Sequence, residues 1–593
     1  MCYTSSSWKQ CCFIANLRSD EDALCFKVLG KTISIPAAFL VVCPNLQKMM
    51  GMLNFLLILM LLPSSFEALS DETIPLDVQT QDMQALIAQA CMDIENQNSC
   101  LTNIQNELIK IGPPSPTSVM SAALKATINE AIGAIDNITK ITEFSVSYRE
   151  QQAIEDCKEL LDFSVSELAW SLGEMKKIRA GDNNVQYEGN LEAWLSAALS
   201  NQDTCLEGFE GTDRRLESYI SGSLTQVTQL ISNVLSLYTQ LHRLPFKPPR
   251  NTTTTTSTTE TDETFEFPEW MTEGDQELLK SKPHGTRADV VVALDGSGHY
   301  RSITEAVNAA PSHSNKRYII YVKKGLYKEN VDMKKKMTNI MLLGDGIGQT
   351  IVTSNRNFMQ GWTTFRTATV AVSGKGFIAR DMTFRNTAGP VNHQAVALRV
   401  DSDQSAFYRC SVEGHQDTLY AHSLRQFYRE CEIYGTIDFI FGNGAAVLQN
   451  CKIYTRVPLP LQKVTITAQG RKSPHQSTGF TIQDSYILAT QPTYLGRPWK
   501  QYSRTVYINT YMSGLVQPRG WLEWFGNFAL NTLWYGEYRN YGPGSSLSGR
   551  VRWPGYHVIK DASTASFFTV QQFLNGDTWL PRTGVKFTAG LTN

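Results

Sequence analysis

Metal-binding punctuation is missing from this chain. Its twelve cysteines and nine histidines form no CxxC pair and no Cys/His cluster at zinc spacing, which argues against a metal site. Five cysteines lie before residue 50, and the others are Cys91, Cys100, Cys157, Cys205, Cys410, Cys431 and Cys451. Disulfides suit that set if the chain is exported. A membrane-spanning run is missing as well. The stretch 53–62 (LNFLLILMLL) has signal-peptide length, with Lys48 ahead and Ala68 and Ser70 behind, and is too short for a confident span. Residues 1–70 therefore read as an N-terminal extension plus a signal peptide or, in the alternative, a signal anchor. Met49, Met50 and Met52 are candidate starts. Net charge is scarce, −2 over 593 residues, but unevenly placed. Residues 283–593 hold 34 Lys and Arg against 19 Asp and Glu, a net of +15; residues 1–282 hold 20 against 37, a net of −17. A basic C-terminal part suits an anionic partner such as nucleic acid, an acidic polysaccharide or a membrane surface. The acidic part is a candidate internal counterweight. The length alone asks for two domains or more.

What is present is a repeat. Gln394 opens QAVAL, Gln416 and Asp417 open QDTL, and Asp438 opens DFIFG, so Gln394, Gln416 and Asp438 recur at intervals of 22 residues. A parallel β-solenoid has coils of that length, and residues one coil apart then stack at about 4.8 Å. FIARDMTF, FYRCSVEG, FYRECEIYG, VLQNCKIY and FTIQDSYI share one phrase: a β-rich start, a small polar or Cys residue four or five places on, then alternation. On this reading two carboxylates and two amides form one polar cluster on a rigid wall. A β-sandwich with accidental spacing is the competing reading.

Ahead of the solenoid the periodicity is helical. MQALIAQACMDI, MSAALKATINEAIGAIDNI, CKELLDFSVSELAWSL and LEAWLSAALSNQDTCLEGF, within residues 80–241, are parted by Pro, Gly and Asn breaks. This predicts an all-α four-helix bundle with antiparallel neighbours. Residues 242–284 hold a Thr/Pro-rich linker. Asn137 and Asn251 sit in N-x-Thr sequons, meaningful only on export.

The cluster's chemistry is acid–base. Like charges close together raise one pKa, so one carboxyl stays protonated as an acid while the other acts as nucleophile or base. Side-chain amides can hold a developing oxyanion, which acyl transfer needs and glycoside cleavage does not. Arg497 in LGRPW is a candidate ion partner that keeps one carboxylate charged, and Trp499 offers a flat face to a sugar ring.

GLYKE (Gly325–Glu329), QAVAL, QDTL, DFIFG and LGRPW resemble, in order and spacing, the pectin methylesterases over residues 285–593. The order Cys91, Cys100, Cys157, Cys205 with WLSAALSNQDTCLEGF resembles the pectin methylesterase inhibitor domain. The resemblance implies an all-β right-handed parallel β-helix and a cofactor-free, metal-free aspartyl esterase. Its substrate is methylated homogalacturonan (pectin), not nucleic acid. It implies Asp438 as nucleophile, Asp417 as proton donor and later base, Gln416 as transition-state stabiliser, and Gln394, Thr364, Arg497 and Trp499 as substrate contacts. Bridges Cys91–Cys100, Cys157–Cys205 and Cys431–Cys451 are implied, although Cys410 competes with Cys451 for Cys431 on spacing alone. The helical domain is expected to act as an intramolecular inhibitor, and the protein to be secreted to the extracellular cell wall. A processing protease is a further expected partner, yet the family's dibasic signal after FPEW is replaced by MTEGDQELLKSK. Another pectin-active glycosidase or lyase, or a non-catalytic inhibitor, are the alternative functions. Of the remaining residues, Tyr327 and Glu329 read as turn supports, His415 as a bystander and Lys334, Lys335 and Lys336 as a solvated edge. Trp521 and Trp524 are candidates for the groove.

Overall fold

The computed structural model describes residues 76–113, 115–181, 186–241 and 288–592, with two strands nearer the N-terminus. Those strands, Ala23–Val28 and Lys31–Pro36, form an antiparallel hairpin in a unit of their own. The apolar run 53–62, the linker 242–284, Asn251, Arg243 and Lys280 lie outside the described residues. No described helix is long and apolar enough to cross a membrane.

Six helices come first: α1 (Leu76–Ala90), α2 (Gln97–Ile111), α3 (Pro116–Lys140), α4 (Tyr148–Arg179), α5 (Gln186–Glu207) and α6 (Arg215–Leu241). Their starts are written in the sequence. Ser115 caps α3 with Pro116 in its first turn. Ser147 and Glu150 form a reciprocal capping box on α4, whose last turn carries Lys176, Lys177 and Arg179 against the helix dipole. α3 packs on α4, α4 on α5, α5 on α6 and α6 back on α3, so four long helices close a bundle. Disulfides Cys91–Cys100 and Cys157–Cys205 are formed, the second pinning α4 to α5. Asn137 is exposed on α3.

From Val290 the chain winds into a parallel β-helix with three faces. One face stacks Ile378–Asn386, Ser405–Glu413, Arg425–Arg429, Ala445–Gln449, Gly479–Gln483, Arg504–Ile508 and Trp534–Tyr538, all parallel. The second continues through Glu432–Gly435, Lys452–Thr455, Tyr486–Leu488 and Tyr511–Met512. The third is a seven-stranded sheet in spatial order Val331–Met333, Val370–Val372, Leu398–Val400, Leu419–Ala421, Ile440–Gly442, Val464–Gln469, Thr493–Gly496. Apolar side chains fill the interior, including a stack of Phe407 on Tyr428 at 4.8 Å. The helix Ile303–Ala309 places Ile303, Ala306 and Val307 against that interior near the first coil. Glu329 accepts the Ile303 and Thr304 amides at 2.9 Å, which makes it a helix cap.

The shared phrase now has a physical meaning. Asp381, Arg409, Glu430, Asn450, Asp484, Asn509 and Arg539, one per coil, have φ between 46 and 58°. Each is a left-handed corner between the first two faces, which costs little for Asp and Asn and is held elsewhere by the stacking on both sides. The next residue turns inward as Met382, Cys410, Cys431, Cys451, Ser485 or Thr510, all buried.

The coil length holds with a one-residue offset from the spacing of the polar residues: Leu398 stacks on Leu419 and Leu419 on Ile440, so the coil at the candidate site is 21 residues. One expectation fails here. Cys431 and Cys451 are not bridged: both, with Cys410, are free buried thiols. In-register parallel strands hold neighbouring side chains at about the 4.8 Å strand spacing, whereas a disulfide draws the two Cβ atoms to about 3.8 Å. The Cys431 Sγ instead contacts the Phe407 and Arg429 carbonyl oxygens at 3.4 Å, and Cys451 those of Tyr428 and Gln449 at 3.5 and 3.6 Å. Burial pushes both thiols well up from their ordinary range.

Candidate active site

The third face of the β-helix carries the site. Leu398↔Leu419↔Ile440 places Asp417 and Asp438 at equivalent positions of adjacent coils, two residues before their strands. Both have the left-handed conformation, φ 59 and 50°. Thr364 comes from the 3₁₀ turn Thr364–Thr367, Gln394 from the chain before Leu398, and Arg497 and Trp499 from the chain after Gly496. Thr364, Gln394, Gln416, Asp417, Asp438, Arg497 and Trp499, remote in sequence, all line one cavity of about 290 Å³.

The two carboxylates live in different surroundings. Asp438 accepts Thr465 Oγ1 at 2.6 Å and Arg497 Nε at 2.9 Å on one oxygen, and Arg497 Nη2 at 2.6 Å on the other. Such charge-assisted bonds hold the ionised form in place. Among the described residues the Asp417 carboxyl makes no hydrogen bond. Burial, then the charge of Asp438, push its pKa well above the usual carboxylate range, against the pull of Arg497. Burial and the neighbouring carboxylate thus favour the neutral form of Asp417, while Asp438 is bound by a guanidinium and a hydroxyl. Neither the Gln394 nor the Gln416 side chain is committed to a hydrogen bond among the described residues, and Gln394 Oε1 is buried without a partner. Both amides are free to donate into the cavity.

Aromatic rings make the rest of the wall. Tyr420 stacks on Phe441 at 4.1 Å, one coil apart, and Phe365, Trp499 and Trp524 complete it. Trp499 lies so close to Gly470 that a Cβ there would meet its ring at 2.8 Å, so Gly470 admits the indole. The Arg497 guanidinium sits 4.3 Å over the Trp524 ring. Trp524 thus belongs to the cavity, while Trp521 is buried in the coil interior, stacked on Tyr535. His415 lies outside the cavity lining. Thr465, Phe365, Tyr420 and Phe441 were not singled out in the sequence. The last two were within reach, since each falls three residues after an Asp that repeats once per coil.

The bundle closes the cavity. Ser196, Ser200, Thr204 and Glu207 recur on one side of α5 at helical spacing. Ser200 Oγ accepts Asn443 at 2.8 Å, Thr204 meets His422 Nε2 at 3.0 Å, and Lys500 pairs with Glu207 at 2.6 Å. Lys472 pairs with Asp203 at 2.9 Å. From α4, Asp156 and Glu159 take Arg366, Glu159 also takes Lys334, and Glu167 takes Lys335. In every one of these pairs the cation belongs to the β-helix. Lys335 is therefore drawn out of the solvated edge that the run suggests, while Lys334 and Lys336 stay exposed. Phe365, Val396, Tyr420, Phe441 and Ala468 fall within the same apolar cluster as the bundle core.

The family description "Pectinesterase" matches residues 289–577, and "Plant invertase/pectin methylesterase inhibitor" matches residues 85–237. A pectinesterase/pectinesterase inhibitor of Arabidopsis thaliana, number 22, is 64% identical over 92% of this chain and 100% of its own length. A pectinesterase/pectinesterase inhibitor of Prunus persica is 48% identical over 83% of this chain and 92% of its own. The solved pectin methylesterase from carrot is 54% identical, covers 51% of this chain and 98% of its own, and superposes with a TM-score of 0.51. With its β-helix, its paired aspartates and its docked helical bundle, the chain belongs to the pectinesterases that carry an N-terminal inhibitor domain.

Proposed function

We propose that the chain hydrolyses methyl esters of galacturonate units in pectin, releasing methanol and free carboxylates, with the bundle as its intramolecular inhibitor. The observation that carries the chemistry is the contrast between Asp417 and Asp438 at equivalent positions of adjacent coils. The ionised Asp438 attacks the ester carbonyl carbon, while Gln416 and Gln394 donate to the oxyanion that develops. Asp417 gives its proton to the departing methoxide, leaving methanol and an acyl-Asp438 anhydride. Asp417, now a carboxylate, takes a proton from water, whose oxygen attacks the anhydride carbon. Breakdown returns Asp438 to its carboxylate and frees the product acid. Thr364, Arg497 and Trp499 contact the sugar. These groups supply acid, nucleophile and oxyanion donors themselves, so the reaction needs no metal.

On the same reading the protein works in the cell wall after secretion. A protease then cuts within residues 242–284, near Arg243 or Lys280, to separate bundle from enzyme. The test is methanol release from methylated pectin, with chelator present, by the intact chain and by the same preparation after limited proteolysis of the linker. Release that rises on cutting supports both parts. Release that a chelator abolishes and calcium restores overturns the metal-free chemistry. Equal release before and after cutting overturns the inhibitor role.

A further inference from the structure

Over its later coils the second face of the β-helix is left open by the described elements. The bundle lies on the third face, and on the first the helix Val570–Leu574 packs against Phe427 and Val447. The outward side chains of the second face fall in two rows set by strand register. One runs Glu432, Lys452, Tyr486, Tyr511, Tyr541 through five consecutive coils, about 19 Å at the strand spacing. The other runs Glu413, Tyr434, Tyr454, Leu488. Among the described residues, none of these five tyrosines joins an apolar cluster. Tyr434 and Tyr454 stack at 4.5 Å, 5° from parallel, which closes their faces and makes them a cross-strand pair that stabilises the sheet. The other three stay open. Tyr486 and Tyr511 are tilted by 42° at 6.1 Å, and Tyr511 and Tyr541 by 65° at 5.6 Å. Tyr486 and Tyr541 are 43% and 48% exposed. Flat rings set in line at the coil spacing match a linear polymer of six-membered rings, with one sugar face to each phenol. The ions beside them are unequally accessible. Lys452 is 53% exposed and its partner Glu432 25%. Arg385 and Arg456 are each about twice as exposed as the Glu413 that they share, and Arg456 lies 5.3 Å over the Tyr434 ring. The cation is thus the outer member of each pair, which suits a sugar chain that bears carboxylates. A protein partner would ask for an apolar centre, and Leu488 is the lone aliphatic side chain in these rows.

We propose that this face is an accessory binding surface for galacturonan with free carboxylates, with Tyr486, Tyr511 and Tyr541 under successive sugars and Lys452 and Arg456 meeting carboxylates at their edge. The occupant rests on the esterase reading above, since such a stretch is the product of that reaction. Three rings and two cations hold the polymer weakly and exchange it fast, so the intact chain stays mobile. Once the third face is also open, a long polymer engages both faces. The second contact is then intramolecular, and the combined hold exceeds either alone. The enzyme thereby stays beside the stretch that it has just de-esterified.

The experiment is native electrophoresis of the intact chain, its integrity checked by mass, through gels cast with polygalacturonate, with fully methylated galacturonan or with no polymer. One variant carries Tyr486→Ser and Tyr541→Ser, and a second carries Lys452→Glu. All three side chains are exposed, and thermal melting checks that the fold is kept. The expected result is retardation by polygalacturonate that weakens with added salt, with the polymer concentration for half-retardation raised at least about threefold in each variant. Retardation by the methylated polymer is expected to be much smaller. Mobility unaltered by both variants overturns the inference, and so does equal retardation by the methylated polymer, which leaves the cations no role. Retardation that appears only after the linker is cut also overturns it, because the second face is open in the intact chain. Turnover enters none of these readouts. After linker cutting, methanol release from short methylated oligomers should agree within about twofold among the three chains, since the variants lie on another face from the reacting groups. Its absence from the unaltered chain would strike the esterase reading and leave the binding result standing.

Discussion

Asp438 is held by four side-chain hydrogen bonds from two residues, Thr465 and Arg497, and the two residues have different consequences. Asp438→Asn leaves an amide that cannot form the acyl intermediate, so pectin turnover is expected to vanish while far-ultraviolet dichroism and melting stay near normal. Gln416→Ala removes one oxyanion donor and is expected to lower kcat by about 10²–10³-fold. Thr465→Val deletes the 2.6 Å bond to Asp438 Oδ1 but spares Arg497. A hydrogen bond to a charged group contributes about 1.5–3 kcal/mol, so kcat should fall by about 10- to 100-fold with KM little changed; an unchanged kcat would show that Arg497 alone fixes the carboxylate. Asp417, Asp438, Gln416 and Arg497 were legible in the sequence because each sits in a short motif whose chemistry is recognisable. Thr465 was not, since a threonine in VTITAQ reads as an ordinary strand residue and gains its role only from the coil that stacks beneath it.

Among the elements, the coils and helices announced themselves by period, and the misreadings came where period stops being informative. An interval of 22 between Gln394, Gln416 and Asp438 joined residues of similar chemistry, but hydrogen bonding obeys backbone position. That pairs Asp417 with Asp438 and sets Gln416 against Ile437. The bridge Cys431–Cys451 was implied by the resemblance, and stacking alone does not supply it, because residues one coil apart can stack without their Cβ atoms converging. Helix breaks were readable from Pro, Gly and Asn, whereas the contact of α5 with the third face left no local trace beyond its charge. The bridge between α4 and α5 offers a test at this scale. Cys157 and Cys205 close a loop of 48 residues, and removing such a link costs about 4 kcal/mol in the chain-entropy account. Replacing both by Ser is expected to lower the first unfolding transition in denaturant and raise pectin turnover by the intact chain; a bundle of unaltered stability would place its cohesion in α3 and α6.

The assembled molecule pairs an acidic body with a basic one, and its charge pairs give docking a pH dependence whose sign follows from Glu167. Burial raises that carboxyl from 4.5 to about 7 against the pull of Lys335 and Asn201, with Asp401 adding to the rise. Asp156 and Glu207 are raised in the same sense, burial outweighing Arg366 and Lys500 respectively. A group that holds its proton more tightly when docked favours docking fully below its ordinary pKa, and loses that contribution as pH climbs from 4.5 through 7. Glu159, despite burial, is drawn down to about 2 by Arg366, Arg399 and Lys334, so its contribution is lost only in the window from 4.5 down to 2. The bundle is therefore expected to hold best near pH 4.5 and to loosen toward neutrality. The measurement is pectin turnover by intact chain relative to linker-cut chain across pH 4.5–8, and Glu167→Gln should flatten the profile. A ratio independent of pH would assign docking to its apolar contacts.

Those apolar contacts carry a consequence for where the enzyme can travel. Phe365, Val396, Tyr420, Phe441 and Ala468 are buried in one apolar cluster with the bundle core, and Trp499 and Trp524 are partly buried against it. Once the bundle departs, a contiguous aromatic strip faces water on a body whose sequence carries net positive charge, and exposed strips of that kind seek a partner. The intact chain should diffuse freely. The separated enzyme should partition onto insoluble acidic polymer, or onto itself where no polymer is offered, so that parting from its own N-terminal half also ends its journey.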